Sequence, residues 1–392
     1  MKIYEIGTGY TPIPAQIGAA TEIVVEELTR AFIKNGQDAE IIDIKASNRS
    51  KTELPISEVK VPKVFTKTDV SLGVVHKLKR VVYSISLAYK LSNILKNSDE
   101  KVILHFHNQY NLFFTLKLLS KKRLKKATIA YTVHSYIWGT DWDKIENIVK
   151  KKYFQEVECV KKADLVLVLN NITKEHFVNK LGLSENKIYK VINGVNIDRY
   201  SPLADTEISE LKINNQLENK KIIFQVGSVC ERKNQLETVK MLSDYMRENK
   251  DIIYMYAGGI IDSNYQQAII DFAAEQTISN QVKYVGEVPP GEELNKYYNM
   301  ADCCVFTSNL ESFGLVIIEA ISSGTPVVLS ENLMFSLTSG YKMYNSKESF
   351  VSMVEEAIKN GKIPRDECIK DLEKFSWSSV ADKYFELFSS IK

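Results

Sequence analysis

Between Thr307 and Ser330 the chain reads TSNLESFGLVIIEAISSGTPVVLS, a stretch that leaves the backbone little choice of path. An apolar strand runs into it over 302–307, a polar loop follows, and Gly314 stands at the mouth of an apolar helix. Gly324-Thr325-Pro326 then stops that helix before a second strand. Strand, loop, helix and strand in that order make one crossover of an open α/β sheet. Ligands of such sheets sit in the crevice beyond the carboxyl ends of the strands, where the first turn of a helix offers unpaired backbone N–H groups to an anion. The loop therefore suits a phosphate ester.

Two acids flank that anion site, Glu311 in the loop and Glu319 about one turn inside the helix, with Phe313, Gly314 and Leu315 between them. A carboxylate accepts paired hydrogen bonds from vicinal hydroxyls, as on a ribose or a hexose. A phosphate with a sugar on either side is a nucleotide sugar. A glutamate on a helix is ordinarily solvated, but Val316, Ile317, Ile318, Ala320 and Ile321 surround Glu319 with apolar side chains. A carboxylate buried among them needs a partner.

Short apolar strands alternate with helical segments along the whole chain, as in parallel α/β domains. The first half predicts strands over 2–6, 39–44, 102–107, 127–134 and 165–169, with an amphipathic helix over 21–35. Residues 45–71 are polar, contain Pro55 and Pro62, and read as an extended excursion. Gly, Asn and Pro break the pattern over 193–217. A second set follows, with strands over 221–227, 252–257, 282–285, 303–307 and 326–329 and a helix over 290–300. We place the domain limits at 1–198 and 199–374, leaving a last helix at 375–392.

With 44% hydrophobic residues the chain can fill two cores, yet no apolar run reaches the ~20 residues that cross a bilayer. Its opening, MKIYEIG, reads as a first strand rather than a secretory leader. Cys159, Cys230, Cys303, Cys304 and Cys368 are odd in number and lack metal-site spacing, which fits free thiols in a reducing cytoplasm. The net charge of +2 hides an asymmetry: residues 1–200 hold 32 Lys+Arg against 21 Asp+Glu, residues 201–392 hold 19 against 28. The basic stretch 74–96 carries apolar residues at helical intervals. It reads either as a core-packed helix with a solvated lysine face or as a segment lying on an anionic membrane surface. No nucleic-acid-binding motif accompanies the charge, so nucleic acid is not an expected partner.

The 307–330 segment closely resembles the Glu-x7-Glu motif of the retaining glycosyltransferases of family 4, which have the two-domain GT-B fold. Other blocks match that family in order: the loop at Gly18, Tyr131-Thr132-Val133-His134, Asn193-Gly194-Val195-Asn196, Gly227 through Lys233, Ala257-Gly258-Gly259, and Phe375-Ser376-Trp377. The resemblance implies an α/β fold of two Rossmann-like domains facing a cleft, the first for the acceptor and the second for a nucleotide sugar, with the terminal helix crossing back onto the first. It further implies retaining transfer of a hexose-type sugar from a nucleoside-diphosphate sugar to a hydroxyl of a sugar or lipid-linked acceptor. The expected setting is surface polysaccharide or glycoconjugate assembly, in the cytoplasm or at the inner face of the membrane, through a basic N-terminal domain that meets an anionic surface. No metal or other cofactor is expected.

Several positions take roles from both sources. Arg232 and Lys233 follow a Gly-terminated strand, where fixed cations meet the charge that builds on a departing diphosphate. The family often has an Arg directly after that Gly; here Ser228 stands there, which leaves open whether Arg232 takes its place. His134 ends a strand, and the matching His of the family contacts the donor sugar, where a donated hydrogen bond or partial positive charge would steady an oxocarbenium-like centre. A structural His is the alternative. His105 and His107 share one strand face; a two-His metal site needs further ligands that the sequence does not reveal, so they read as acceptor-side or core residues. Glu311 is expected to orient the transferred sugar and Glu319 the ribose. Gly18, Gly227 and Gly258 allow close approach of the ligand, and Val288 borders the nucleobase. Gly7-Thr8-Gly9 is no dinucleotide fingerprint, because Pro12 occupies the third Gly position. Asp141-Trp142-Asp143 reads as helix-start chemistry or as an acceptor contact. A non-catalytic nucleotide-sugar-binding subunit and a nucleotide-sugar epimerase of similar fold are the competing functions.

Overall fold

The computed structural model describes residues 1–15, 20–66, 74–309, 314–333, 339–364, 366–367 and 372–391. The chain forms two compact units, one of residues 1–194 with 377–392 and the other of residues 195–376.

The first unit holds seven parallel strands: β1 (Ile3–Ile6), β2 (Ala39–Ile44), β3 (Ile56–Val59), β4 (Val102–Phe106), β5 (Ala127–Val133), β6 (Leu165–Val168) and β7 (Ile188–Lys190). Their order is β3-β2-β1-β4-β5-β6-β7. The second holds six: β8 (Lys221–Val226), β9 (Ile252–Ala257), β10 (Val282–Tyr284), β11 (Cys303–Phe306), β12 (Val327–Ser330) and β13 (Tyr341–Tyr344), in the order β10-β9-β8-β11-β12-β13. Central strands such as β4, β5, β9 and β12 are buried at every position, as strands covered on both faces by crossover helices must be.

In each sheet the chain builds outward from the first strand to one side, then returns and builds to the other. The reversal falls between β1 and β4 in the first unit and between β8 and β11 in the second. At such a switch point the two flanking loops leave in opposite directions and open a crevice at the strand carboxyl ends.

The 45–71 excursion is more regular than its composition suggests. It contains β3, which pairs along β2 from Ile56 opposite Ile41 to Val59 opposite Ile44, and a short 3-10 turn at Lys63–Phe65. Edge strands β7 and β13 were likewise not foreseen, because IYK and YKMY are short, half exposed and carry lysine. Such sequences suit an edge that must not recruit another strand.

Helix Val74–Asn97 carries the basic stretch. Tyr83, Leu87, Leu91 and Leu95 are each at most 1% exposed within the first core. That part of its apolar face is therefore occupied by the core, while Leu78 and Tyr89 stay exposed. No described helix is long and apolar enough to cross a membrane.

The terminal helix Trp377–Ser390 buries Trp377, Val380, Ala381, Tyr384, Leu387 and Phe388, an apolar stripe at helical spacing. It lies on helix Ala20–Lys34, with the rings of Phe388 and Phe32 6.1 Å apart and Asn35 donating to the Ser378 carbonyl at 3.0 Å. The chain leaves and re-enters the second unit side by side: Val195 N donates to Phe375 O at 2.7 Å, and Val195 bridges Ser376 in parallel. Just before Val195, Gly194 lies flat against the indole of Trp377, so that a Cβ there would collide with the ring. Gly194→Ala should therefore cost about 1–3 kcal/mol by overpacking. Chemical denaturation measures it, and an unchanged midpoint would show that the indole has room to yield.

Candidate active site

At the second switch point the β8 and β11 loops are tied together. β8 runs into Gly227 and a 3-10 turn at Glu231–Lys233, while β11 runs into Thr307. Asn309 N donates to Arg232 O at 2.9 Å, Asn234 Nδ2 to Thr307 O at 3.2 Å, and Thr307 Oγ1 lies 2.7 Å from Thr238 Oγ1. Gln225, buried on β8, donates to Lys233 O at 2.8 Å and accepts from Thr238 and Tyr254. These bonds fix the backbone that carries Arg232 and Lys233. The aliphatic stem of Lys233 folds over Gly227, where an added Cβ would sit 2.9 Å from Lys233 Cε. Beside it, Gly258 has φ of +136° and donates to Gly286 O at 2.8 Å; a side chain there would strike the Gly227 carbonyl. Val288 lies half-buried in the loop beyond β10.

The helix Leu315–Ser322 starts at Gly314, whose left-handed conformation (φ of +82°) aims the chain into the first turn without any side-chain cap. Ile317 N donates to Gly314 O at 3.0 Å, and no side chain of the described residues is seen to cap the helix start. Leu315 is half-buried at that first turn. One turn in, Glu319 is 8% exposed and already has partners: Tyr298 Oη donates to Oε2 at 3.0 Å, and Tyr200 also bonds the carboxyl. Gly291 N holds the Tyr200 hydroxyl at 2.9 Å. Burial pushes Glu319 up to about 7 against the two tyrosine bonds and the charge of Arg199. The buried acid's need for a partner is thus met by the protein itself. A carboxylate has about four lone-pair directions, so two hydroxyls do not exhaust it. Gly18, Glu311 and Phe313 lie outside the described residues.

At the first switch point β1 and β4 place three titratable side chains together. Glu5 stands opposite His105 in the β1–β4 register, and His107 follows one strand period later. All three are buried: His105 Nδ1 lies 2.8 Å from Glu5 Oε1, His107 Nε2 lies 2.7 Å from Glu5 Oε2, and His105 Nε2 lies 2.7 Å from Thr132 Oγ1. His107 Nδ1 then lies 2.9 Å from Nε2 of His134, at the end of β5. Tyr384 and Phe388 of the terminal helix close over His105, with ring centroids at 5.6 and 5.3 Å. Glu5 supplies the third ligand-type group that the two histidines lacked in sequence, and the three ligand atoms fall within 4.8 Å of one another. Their facing atoms, however, sit at hydrogen-bond separation and are already paired with each other.

His134 lines a cavity of about 410 Å³ with Thr8, Tyr10, Glu22, Arg80 and Tyr136 among its walls. Asn108 Nδ2 donates to the Tyr10 hydroxyl at 2.8 Å, and the Arg80 guanidinium lies 4.4 Å from the centre of the Tyr10 ring. Glu22 is buried on the first turn of its helix and accepts from the Thr8 hydroxyl, yet burial still pushes its acid up to about 7. Beneath His134, buried Glu156 accepts from Tyr131 Oη at 2.6 Å, Ser135 Oγ at 2.9 Å and Trp138 Nε1 at 2.8 Å, anchoring the turn that follows the histidine. Asp141 stands at a helix N-cap as expected, but makes no side-chain cap and pairs with Lys144 at 2.9 Å.

Sequence reasoning had not marked Glu5, Glu156, Tyr200 or Tyr298. Glu5 alone left a trace, as the single acid inside an apolar four-residue strand of a parallel sheet.

The family described as Glycosyl transferases group 1 matches residues 207–366, and Glycosyltransferase Family 4 matches residues 21–199. A D-inositol 3-phosphate glycosyltransferase of Nocardia farcinica is 29% identical over 180 residues, 45% of this chain and 39% of that protein. The chain thus matches about two fifths of the Nocardia protein's length. An uncharacterized glycosyltransferase of Methanocaldococcus jannaschii is 22% identical over 406 residues, covering 99% of this chain and 98% of that one. Among solved structures, Anabaena HepE in complex with UDP and glucose has a TM-score of 0.72 at 15% identity, covering 100% of both chains. Sucrose-phosphate synthase from Thermosynechococcus elongatus has a TM-score of 0.73 at 18% identity, covering 99% of this chain and 98% of that one. Both share the arrangement of two parallel α/β units described above. The chain belongs to the family 4 glycosyltransferases and has the GT-B fold.

Proposed function

We propose that this glycosyltransferase moves a hexose-type sugar, with retention of configuration, from a nucleoside diphosphate to a hydroxyl acceptor. The observation that carries this reading is the second switch point: two hydrogen-bonded loops, a lysine folded over Gly227, and an uncapped helix start at Gly314. Such a place suits a diphosphate. HepE, solved with UDP and glucose, supports a nucleotide-sugar donor. In the reaction the bond from the sugar C1 to the phosphate oxygen breaks, a bond from C1 to the acceptor oxygen forms on the same face, and the acceptor proton passes to the departing phosphate. Lys233, Arg232 and the amides at Leu315 and Val316 hold the charge that develops on the diphosphate. Glu311 orients the transferred sugar, while Glu319, steadied by Tyr200 and Tyr298, accepts from the ribose hydroxyls. Val288 borders the base. No metal or organic cofactor is called for. The cavity at His134 receives the acceptor, a sugar or lipid-linked hydroxyl compound of surface glycoconjugate assembly. A relative of 25% identity, named for the cps region of Klebsiella pneumoniae, is consistent with that setting.

Purified protein incubated with a panel of nucleoside-diphosphate sugars and simple sugar acceptors should release nucleoside diphosphate and form a product whose anomeric configuration matches the donor. A donor that binds but is never consumed would favour a binding subunit instead. Lys233→Ala should lower kcat on the order of 10²- to 10³-fold, the usual cost of losing one group aimed at developing charge.

Glu319 adds a pH signature. Ribose hydroxyls bind its ionised form, and burial sets its free acid at about 7, so protonation competes with the donor below that pH. Donor affinity should rise as pH increases from about 6 to about 8, by up to about tenfold per unit below the acid's pKa. Glu319→Gln should weaken binding by about 1.5–3 kcal/mol and flatten that profile. Titration calorimetry across the range measures both, and an unchanged affinity in the variant would remove Glu319 from donor recognition.

A further inference from the structure

We propose that Glu5 fixes the proton positions along a buried chain of imidazoles so that His134 meets its ligand as a neutral hydrogen-bond acceptor, selecting a hydroxyl group at that point. An ionised carboxylate can only accept. Burial alone would push the Glu5 acid up, but the charge of His105 and the hydrogen bonds from both rings outweigh it and hold the acid at about 2. Both nitrogens facing Glu5, His105 Nδ1 and His107 Nε2, therefore carry hydrogen.

His107 is kept neutral, since burial and the neighbouring His105 push its imidazolium down to about 4. A neutral ring holds one N–H, and on His107 that N–H is Nε2, already committed to Glu5. Its Nδ1 is then a lone pair. The atom facing that lone pair at 2.9 Å is His134 Nε2, which must be the donor. Burial also drives the His134 imidazolium well below its ordinary value, so this ring too holds a single N–H. The remaining nitrogen, Nδ1, is a lone pair on a residue that lines the cavity, and it takes no hydrogen bond from the described residues.

This reverses the role expected from sequence. A donated hydrogen bond or a partial positive charge at His134 would require the proton that His107 instead holds in place. A lone pair at the cavity wall selects a ligand atom that brings its own hydrogen, and a sugar hydroxyl does so where a carbonyl, an ether or an oxyanion does not. At the far end of the chain, Thr132 Oγ1 meets His105 Nε2 and also bonds Tyr384. Among the described residues the arrangement is thus closed on one side by the terminal helix and open at His134. Glu5 acts here as a positioning residue, without itself meeting the ligand.

The choice of a hydroxyl rests on the sugar-transfer reading, whereas the tautomer of His134 does not, so the two can fail separately. Long-range proton–nitrogen NMR on the full chain labelled with 15N-histidine reads each ring's tautomer, and the signals of the five histidines are assigned by comparison with His134→Asn and His107→Asn. At neutral pH His107 and His134 should both show the Nε2–H form. His134 as an imidazolium, or with its hydrogen on Nδ1, would overturn the proposal. Glu5→Gln replaces a pure acceptor with a group that also donates. The uniform Nε2–H state of His134 should then be lost, and kcat/KM should fall about 10- to 100-fold, the usual effect of removing an orienting partner. Loss of activity in a folded Glu5→Gln whose His134 stays wholly in the Nε2–H form would refute the positioning role. Should that variant not fold, the wild-type spectrum still decides the tautomer.

Discussion

When every strand of a sheet runs the same way, all carboxyl ends arrive at one edge, and the connections leaving that edge must diverge wherever the chain reverses its direction of building. Both units meet this constraint, with reversals between β1 and β4 and between β8 and β11. Glu5, His105, His107, Gln225, Thr307 and Asn309 lie on those strands or just beyond their carboxyl ends. In the first unit the reversal brings Glu5, His105 and His107 into register with His134 beyond them. In the second it brings the Gly227–Lys233 loop against Thr307 and Asn309. The chemistry is placed by topology before any side chain is chosen.

Buried carboxylates then hold the loops at those edges. An unpaired carboxylate in the interior costs several kcal/mol, so each must be matched where it stands. Glu156 takes three donors and pins the turn after His134. Glu319 takes two tyrosine hydroxyls, and Glu5 takes two imidazoles. The partners explain why burial has opposite outcomes at Glu5 and Glu319. The two imidazole N–H bonds and the charge of His105 are enough to keep Glu5 ionised. Hydroxyls give only dipoles, which leaves Glu319 near neutrality and sensitive to the ligand.

The central strands and the Gly227 loop after β8 were legible in the sequence because each is a local pattern, an apolar run ending at a turn. β2 and β9 fall at the residues their composition suggests. What could not be read is mostly a matter of contacts between distant segments. Nothing near Glu319 announces Tyr200 or Tyr298, which reach it from other elements, and nothing near His107 announces Glu5 from the first strand. The edge strands β3, β7 and β13 escaped notice for a different reason, since a half-exposed strand of three or four residues carries too little alternation to stand out. The basic helix was ambiguous because a lysine-rich amphipathic pattern looks the same whether its apolar side meets lipid or a protein core; here Tyr83, Leu87 and Leu91 meet the core.

The central claim is that the β8 and β11 loops, with the helix beginning at Gly314, grip a sugar-linked diphosphate. Hydrogen–deuterium exchange on the whole chain, with and without a nucleoside-diphosphate sugar shown by calorimetry to bind, tests it most directly. The account predicts slowed exchange in peptides spanning 227–234 and 314–322, where backbone amides would gain a ligand. Binding with unchanged exchange in both segments would contradict it.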